Sequence, residues 1–233
     1  MAPGPLNGDK MRVHYQEELA KLEEQTFEGI DMVVTALERT LESVERQDIE
    51  LAQLVMADDD RIDGRYLEVH QGLITLLATQ SPVATDLRLI SALLHVIKNI
   101  ERMGDQCVNI CKLIPLAGHE PPVDDRMIEN IRKMGDMVKA QLIQSKRAFE
   151  DRSVPLAENL VLLDDDVDSL NRECFSLAIE IGVDADRREW AMTMLLAARA
   201  LERMGDNTVD IGEQVAFVVT GLFREFEDAS HPA

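Results

Sequence analysis

The chain has 233 residues, of which 45% are hydrophobic and 4% aromatic, and its formal net charge at pH 7 is −20. The hydrophobic fraction is enough for a packed core and excludes a globally disordered chain. The negative charge argues against nucleic acid or an anionic membrane surface as the main partner, because both would be repelled. It suits cations and basic surfaces, and it also favours solubility.

Cysteine content and hydropathy predict the compartment. Three cysteines are too few for a disulfide framework and fit a reducing environment. The sequence shows neither a signal peptide nor an apolar run of about 18 residues, the length that a membrane span needs. We therefore expect a cytoplasmic protein without membrane insertion.

Helical periodicity runs through the first half of the chain, and strand signals are absent. Apolar residues at helical spacing predict a first helix from about 12 to 47, and Asp48 can cap a second helix that runs to about residue 79. The Ser-Pro pair at 81–82 is a typical start for a third helix, which we expect to end near Pro115.

The second half repeats this pattern, with helices predicted at about 124–149, 153–180 and 184–226. Helices this long, joined by short turns, pack as antiparallel bundles. We predict an all-α fold of two tandem three-helix antiparallel bundles related by internal duplication. The predicted boundaries are a disordered leader at 1–10, a first bundle at 11–115, a linker at 116–122, a second bundle at 123–227 and a frayed tail at 228–233.

A ten-residue stretch shows the duplication most clearly: residues 101–110 and 202–211 are identical at seven positions. Each copy places a Glu and an Asp four residues apart in a long apolar helix, with a Gly between them. Like charges at this spacing repel by a few tenths of a kcal/mol, and a glycine inside a helix costs about 1 kcal/mol. Two such penalties at the same place in both halves indicate a function, and we predict that these carboxylates bind a cation.

The second helix of each half carries a further acidic pair with the same spacing, close to the apolar seam. Neighbouring antiparallel helices would then assemble two sets of four carboxylates: Glu101, Asp105, Asp59 and Asp63 in the first half, and Glu202, Asp206, Asp164 and Asp168 in the second. Four carboxylates at one place cannot all stay ionised near pH 7 without a counter-charge. Asp210, one turn beyond Asp206, replaces Asn109 and would strengthen the second site.

Oxygen ligands suit Mg, Mn and Ca, and carboxylate-rich helical sites also take Fe or Zn, so the sequence does not identify the divalent or trivalent ion. Ferritin-type redox chemistry is disfavoured, because Gly104 and Gly205 occupy the positions where Glu-x-x-His would place histidine. Two other interpretations stay open. The acids could serve a carboxylate-ligated, metal-dependent phosphohydrolase, or they could lie on solvated helix faces, paired with Arg and Lys, in a scaffold that binds nothing.

These motifs resemble the PhoU family, the phosphate-signalling regulators of bacteria and archaea. The resemblance rests on residues 82–88 (PVATDLR), on 100–105 (IERMGD) and on the recurrence of LERMGD at 201–206, and it covers the chain after residue 10. The second half has ADRREW at 185–190 where the first has the PVATDLR string, so any role of that string is asymmetric.

The resemblance implies two three-helix bundles with metal at Glu101/Asp105 and Glu202/Asp206, and a regulatory, non-enzymatic role. Proteins of this kind are negative regulators of the phosphate-starvation response, acting between the high-affinity phosphate transporter and a sensor histidine kinase. The partners implied are therefore that kinase and the ATPase subunit of the transporter. Long helical bundles often dimerise, and we also expect a homodimer.

Overall fold

The computed structural model describes residues 5–80, 82–117 and 123–226, and this part of the chain contains seven helices and no strand. The helices are α1 (Pro5–Arg46), α2 (Ile49–Asp58), α3 (Asp60–Thr79), α4 (Ala84–Ala117), α5 (Asp125–Glu150), α6 (Val154–Ile181) and α7 (Arg188–Thr220). No helix of the described residues is long and apolar enough to cross a membrane.

The architecture confirms the predicted tandem bundles. In the first bundle, α1 packs on α4 and on the α2–α3 pair, which together make the predicted second helix; in the second, α5, α6 and α7 pack on one another. The two bundles meet mainly along α4 and α7, with a smaller contact between α1 and α5. The long helices α4 and α7, which carry the repeated stretch, therefore form the centre of the molecule.

The turn between the first two helices of each bundle has the same design in both halves. Gln47 and Arg152 both adopt a left-handed backbone, with φ of 51° and 50°. The next residue then caps the following helix: Asp48 accepts a hydrogen bond from the Leu51 N–H, and Ser153 does so from the Leu156 N–H. Each cap satisfies a donor that the first turn leaves unpaired. The two halves therefore align at an offset of 105 residues through this turn.

Helix ends differ from the prediction in several places. Helix α1 begins at Pro5, inside the predicted disordered leader, because proline suits the first position of a helix, where its missing N–H is not needed. Helix α4 runs through Pro115 to Ala117. Helix α7 stops at Thr220, where Gly221 adopts a left-handed φ of 75° as the C-cap.

The predicted second helix is divided by Asp59 into α2 and α3, although Asp59 itself keeps helical dihedral angles, with φ −62° and ψ −32°. Helix α7 starts at Arg188, after a turn at 184–187. Residues 1–4, residues 118–122 of the predicted linker and the tail from 227 onward lie outside the described residues.

Candidate metal centres

The first acidic cluster forms where the α2–α3 junction meets α4. A Cβ atom on Gly104 would lie only 2.8 Å from Oδ1 of Asp59 and 3.2 Å from two carbons of Ile62. Real Cβ atoms essentially never come within 3 Å of another heavy atom. Glycine is needed at this point of α4 because its missing side chain leaves room for a carboxylate of the neighbouring helix.

The predicted carboxylates of the first half are electrostatic neighbours. Burial, followed by the charges of nearby carboxylates, raises the pKa of Asp59 to about 6. These carboxylates are Asp63, Asp105, Asp60 and Glu101. The pKa of Asp105 is also raised, first by burial and then by Glu101 and Asp63. The four acids predicted for this site therefore lie close enough to act on one another's charge.

One cation lies directly on this cluster. Lys98 Nζ is 2.6 Å from Oε2 of Glu101, and it also sits 5.0 Å from the centre of the Tyr66 ring. Lys98 and Lys112 lower the pKa of Asp105, but their effect is smaller than that of burial and the acids. These lysines do not offset burial and the neighbouring acids, since the pKa values of Asp59 and Asp105 stay raised.

The second cluster repeats this geometry in a more buried form. Asp164 on α6 approaches Gly205 on α7 so closely that a Cβ atom there would collide with its Oδ1. Asp164, Asp168 and Glu202 are only 2%, 6% and 5% exposed. Burial, then the charges of Asp206 and Asp168, raises the pKa of Glu202 to about 7, although Arg199 and Arg203 act in the opposite direction.

A glutamine from a third helix completes the second cluster. Gln141 on α5 is fully buried and donates from Nε2 to Oδ1 of Asp164 at 3.2 Å. Its Oε1 is buried without a hydrogen-bond partner, as is Oε2 of Glu202. The other Glu202 oxygen accepts a short hydrogen bond from Arg199. Two buried acceptors therefore face this cluster unsatisfied.

Lys98, Arg199 and Gln141 were not predicted as parts of these sites. The two cations could have been predicted from spacing, because each lies three residues before the Glu of a repeated stretch. Side chains at this spacing meet on a helix surface. Gln141 had none, because it lies 23 residues from Asp164 on a separate helix and its counterpart in the first half is Ala36.

Asp210 lies apart from the other predicted ligands. Desolvation raises its pKa, and the charges that act on it are those of Arg102, His95 and Glu225. None of these belongs to either cluster, and the first two are on α4. The structure thus places Asp210 towards the packing of α7 on α4.

Neither cluster is a ready coordination shell. Within the described ranges, no three His, Cys, Asp or Glu side chains converge closely enough to hold a metal ion as they stand. The clusters are groups of mutually repelling carboxylates, held by the backbone at matching points of the two bundles. Donor chemistry fits a hard cation, because the acids and Gln141 offer only oxygen.

A cavity of about 170 Å³ opens beside the first cluster. Its lining residues are Met32, Thr35, Ala36, Arg39, Val55, Asp58, Asp59, Arg61, Ile62, Gly104 and Cys107. The Asp-Met-Val string at 31–33 recurs at 136–138, so Ala36 corresponds to Gln141. The space next to Asp59 is therefore open at the position where a glutamine stands in the second bundle.

Comparison with known proteins agrees with this duplicated arrangement. The family model described as the PhoU domain matches the chain twice, at residues 28–114 and 131–215. The chain belongs to the PhoU family. Each match takes in one acidic cluster, so each PhoU domain corresponds to one bundle with one acidic cluster.

PhoU relatives cover most of the chain. A protein of Clostridium acetobutylicum named "Phosphate-specific transport system accessory protein PhoU homolog" is 30% identical over 216 residues, which are 92% of this chain and 98% of the relative. A protein of the same name from Aquifex aeolicus is 31% identical over 191 residues, 80% of this chain and 84% of the relative.

Solved PhoU structures share the fold. The crystal structure of PhoU from Pseudomonas aeruginosa superposes with a TM-score of 0.83 at 24% identity, covering 89% of this chain and all of that one. The phosphate transport system regulatory protein PhoU from Streptococcus pneumoniae superposes with a TM-score of 0.80 at 23% identity, covering 90% and 99%. These structures confirm the tandem three-helix architecture.

Proposed function

We propose that this protein is a metal-binding, non-enzymatic regulator of phosphate uptake and signalling. The names of its relatives, accessory proteins of the phosphate-specific transport system, support the link to phosphate transport. In this proposal the protein is a cytoplasmic negative regulator that couples the high-affinity transporter to a sensor histidine kinase. Its partners are the kinase, the ATPase subunit of the transporter and a second copy of the chain in a homodimer.

The observation that carries the metal part is the pair of matching carboxylate clusters, in which burial and neighbouring acids raise the pKa of Asp59 and of Glu202. In each, a glycine of the central helix admits a carboxylate of the neighbouring helix to its backbone. Burial and mutual repulsion raise the pKa values of Asp59 and Glu202 to about 6 and about 7. A bound cation would neutralise these charges and favour both arrangements.

The residues that we propose as ligands are the predicted acids of the two clusters. In the first bundle they are Asp59, Asp63, Glu101 and Asp105; in the second they are Asp164, Asp168, Glu202 and Asp206. Mg, Mn, Ca, Fe and Zn all accept carboxylate oxygen. In this role the metal would fix the relative position of α4 or α7 and its neighbouring helix.

Elemental analysis of purified full-length protein tests the metal proposal. We expect at least about one metal ion per chain, and a loss of metal in Asp105→Asn and Asp206→Asn, because each variant removes a charged ligand. Asp166→Asn is the matched control, since Asp166 is an exposed acid of the same α6 run. Metal content below about 0.1 ion per chain, with both variants as stable as the parent, would refute the metal proposal.

Two further measurements separate regulator from enzyme. A pull-down with the cytoplasmic fragment of the sensor kinase tests that partner, and no binding at tens of micromolar would exclude it. A phosphatase assay with a generic phosphate ester tests the phosphohydrolase alternative, which requires turnover that disappears in Glu101→Ala. We expect binding in the first assay and no metal-dependent turnover in the second.

A further inference from the structure

The second cluster contains two buried oxygen atoms that accept no hydrogen bond. They are Oε1 of Gln141 and Oε2 of Glu202, on side chains whose residues are 0% and 5% exposed. Buried acceptors are almost always satisfied in folded proteins, because leaving them unpaired forfeits their hydration. A hydrogen-bond donor or a cation can satisfy such acceptors, and a cation suits two acceptors that lie in one cluster of negative groups.

The geometry directs the glutamine at the same place as the acids. A Cβ atom on Gly205 would lie 3.3 Å from Gln141 Oε1 and in collision with Asp164 Oδ1, so both oxygens lie against this point of α7. The motif acids Glu202 and Asp206 flank Gly205 on the same helix. The Gln141 amide is oriented by its own N–H group, which donates to Asp164, and its oxygen lies against α7 at Gly205.

We propose that Gln141, on α5, is an additional oxygen ligand of the cation at the second cluster. This inference rests on the proposed metal binding and adds to it a donor outside the repeated motif. Side-chain amide oxygens are ordinary ligands of hard divalent cations such as Ca²⁺. The Gln141 amide is neutral, so it would give the cation one more oxygen ligand without adding to the repulsion among the carboxylates.

The two metal sites are therefore not equivalent. The first bundle has Ala36 in place of Gln141, with an open cavity beside Asp59. Its cluster can offer carboxylates only, and two of these, Asp63 and Asp105, are exposed. The second site, with an additional amide and three buried acids, should bind a hard cation more tightly than the first.

Calorimetric titration of metal-free, full-length protein with Mn²⁺ tests this inference. The Asp105→Asn variant serves as the parent protein for this titration, because loss of that carboxylate should abolish metal binding at the first site. Only the second site is then titrated. In that background, Gln141→Met keeps the volume of the side chain but removes its oxygen, and we expect at least about tenfold weaker Mn²⁺ binding. Gln141→Glu keeps an oxygen but loses the N–H donor, and we expect binding at least as tight as in the parent.

Gln144→Met is the matched control, because Gln144 lies one turn further along α5 and donates to the Leu156 carbonyl and to Asn159, away from the cluster. It should leave Mn²⁺ affinity within about twofold of the parent. If Gln141→Met binds as tightly as the parent, Gln141 is not a ligand and the inference is wrong. If Gln141→Met and Gln141→Glu are weakened alike, Gln141 only positions Asp164, which also overturns ligation.

Mn²⁺ binding by the Asp105→Asn parent itself distinguishes a failure of this inference from a failure of the proposed metal binding. A parent that binds no Mn²⁺ refutes metal binding at the second site, and the inference falls with it. A parent that binds Mn²⁺ leaves metal binding standing whatever the Gln141 variants show. Replacement of Ala36 by glutamine, in an Asp206→Asn background, is the reciprocal test: the added amide should tighten binding at the first site.

Discussion

Glu202 should make the metal-free protein less stable at neutral pH than in mild acid. Its side chain is buried in the second bundle, and burial together with Asp206 and Asp168 raises its pKa to about 7. Replacement by glutamine keeps the shape of the side chain and removes only the charge. The Glu202→Gln variant therefore measures what burying this ionised carboxylate costs the folded state.

The size of the effect follows from the two pKa values. The ordinary value is 4.5 and the value in the folded protein is about 7, a difference of about 2.5, and each pH unit corresponds to about 1.4 kcal/mol. The folded state holds its proton more tightly, so stability is highest below pH 4.5 and falls as pH rises through 7. The loss amounts to about 3 kcal/mol by pH 8.

Urea unfolding in the presence of a metal chelator measures this effect at pH 5 and pH 8. The variant should exceed the wild type in free energy of unfolding by about 3 kcal/mol at pH 8 and by about 1 kcal/mol at pH 5. Glu173→Gln, which changes an exposed glutamate of α6, is the control and should be nearly neutral at both pH values.

A gain of equal size at both pH values would refute this reasoning, because it would come from packing or hydrogen bonding and not from ionisation. No gain at pH 8 would mean that the neighbouring arginines, Arg199 above all, already neutralise Glu202. With saturating Mn²⁺ the order should reverse: the wild type gains stability through the bound ion, and the variant, which lacks a ligand charge, gains less.

Four substitutions test other parts of the structure. Gly64→Ala, at a position of α3 with open space around it, should stabilise the protein by up to about 1 kcal/mol in urea unfolding. Gly205→Ala should instead push a carboxylate of α6 aside and weaken Mn²⁺ binding in the titration; unchanged affinity would contradict the packing described here. Gly221→Ala, at a φ of 75°, should cost about 1–2 kcal/mol in thermal unfolding, and a neutral result would mean that α7 ends differently. Asp48→Ala should lose about 1 kcal/mol with the N-cap of α2, whereas Asp166→Ala should not.

The tandem fold was predictable because its determinants are local and occur twice. Apolar periodicity fixes which face of each helix is buried, and this pattern recurs in the second half. The residues Asp48, Asp124 and Ser153 cap the helices whose starts they mark, each with a hydrogen bond to a nearby backbone N–H. Such signals need no knowledge of the tertiary structure.

Helix ends at proline and glycine were harder to predict. Pro115 lies in the last turns of α4, and the helix continues two residues beyond it. Gly221 ends α7 although periodic apolar residues continue past it. In both cases the outcome depends on which neighbouring groups satisfy the freed carbonyls, and sequence patterns do not specify that.

The position of Asp210 shows how far spacing arguments reach along a helix. Residues four apart differ by about 40° around the axis, so Asp206 stays near the direction of Glu202. At eight residues the difference is about 80°, and Asp210 turns from the cluster towards Arg102 and His95 of α4. Gln141 could not be predicted in this way at all, because its contact with Asp164 joins two helices and residue spacing within one helix does not specify contacts with another.

The repeated glycines now have a physical reason that also constrains the function. Alanine at Gly104 or Gly205 would favour the helix by about 1 kcal/mol and would hold a carboxylate further from the acids around it. Glycine also lets the helices pack closely, since a Cβ atom at Gly104 would crowd Ile62 and one at Gly205 would crowd Gln141, but it admits Asp59 or Asp164 into a group of like charges. With a cation, the close approach brings another oxygen within reach of the ion. Close packing of the helices therefore explains both glycines, and a bound cation would in addition offset the repulsion that the close carboxylates create.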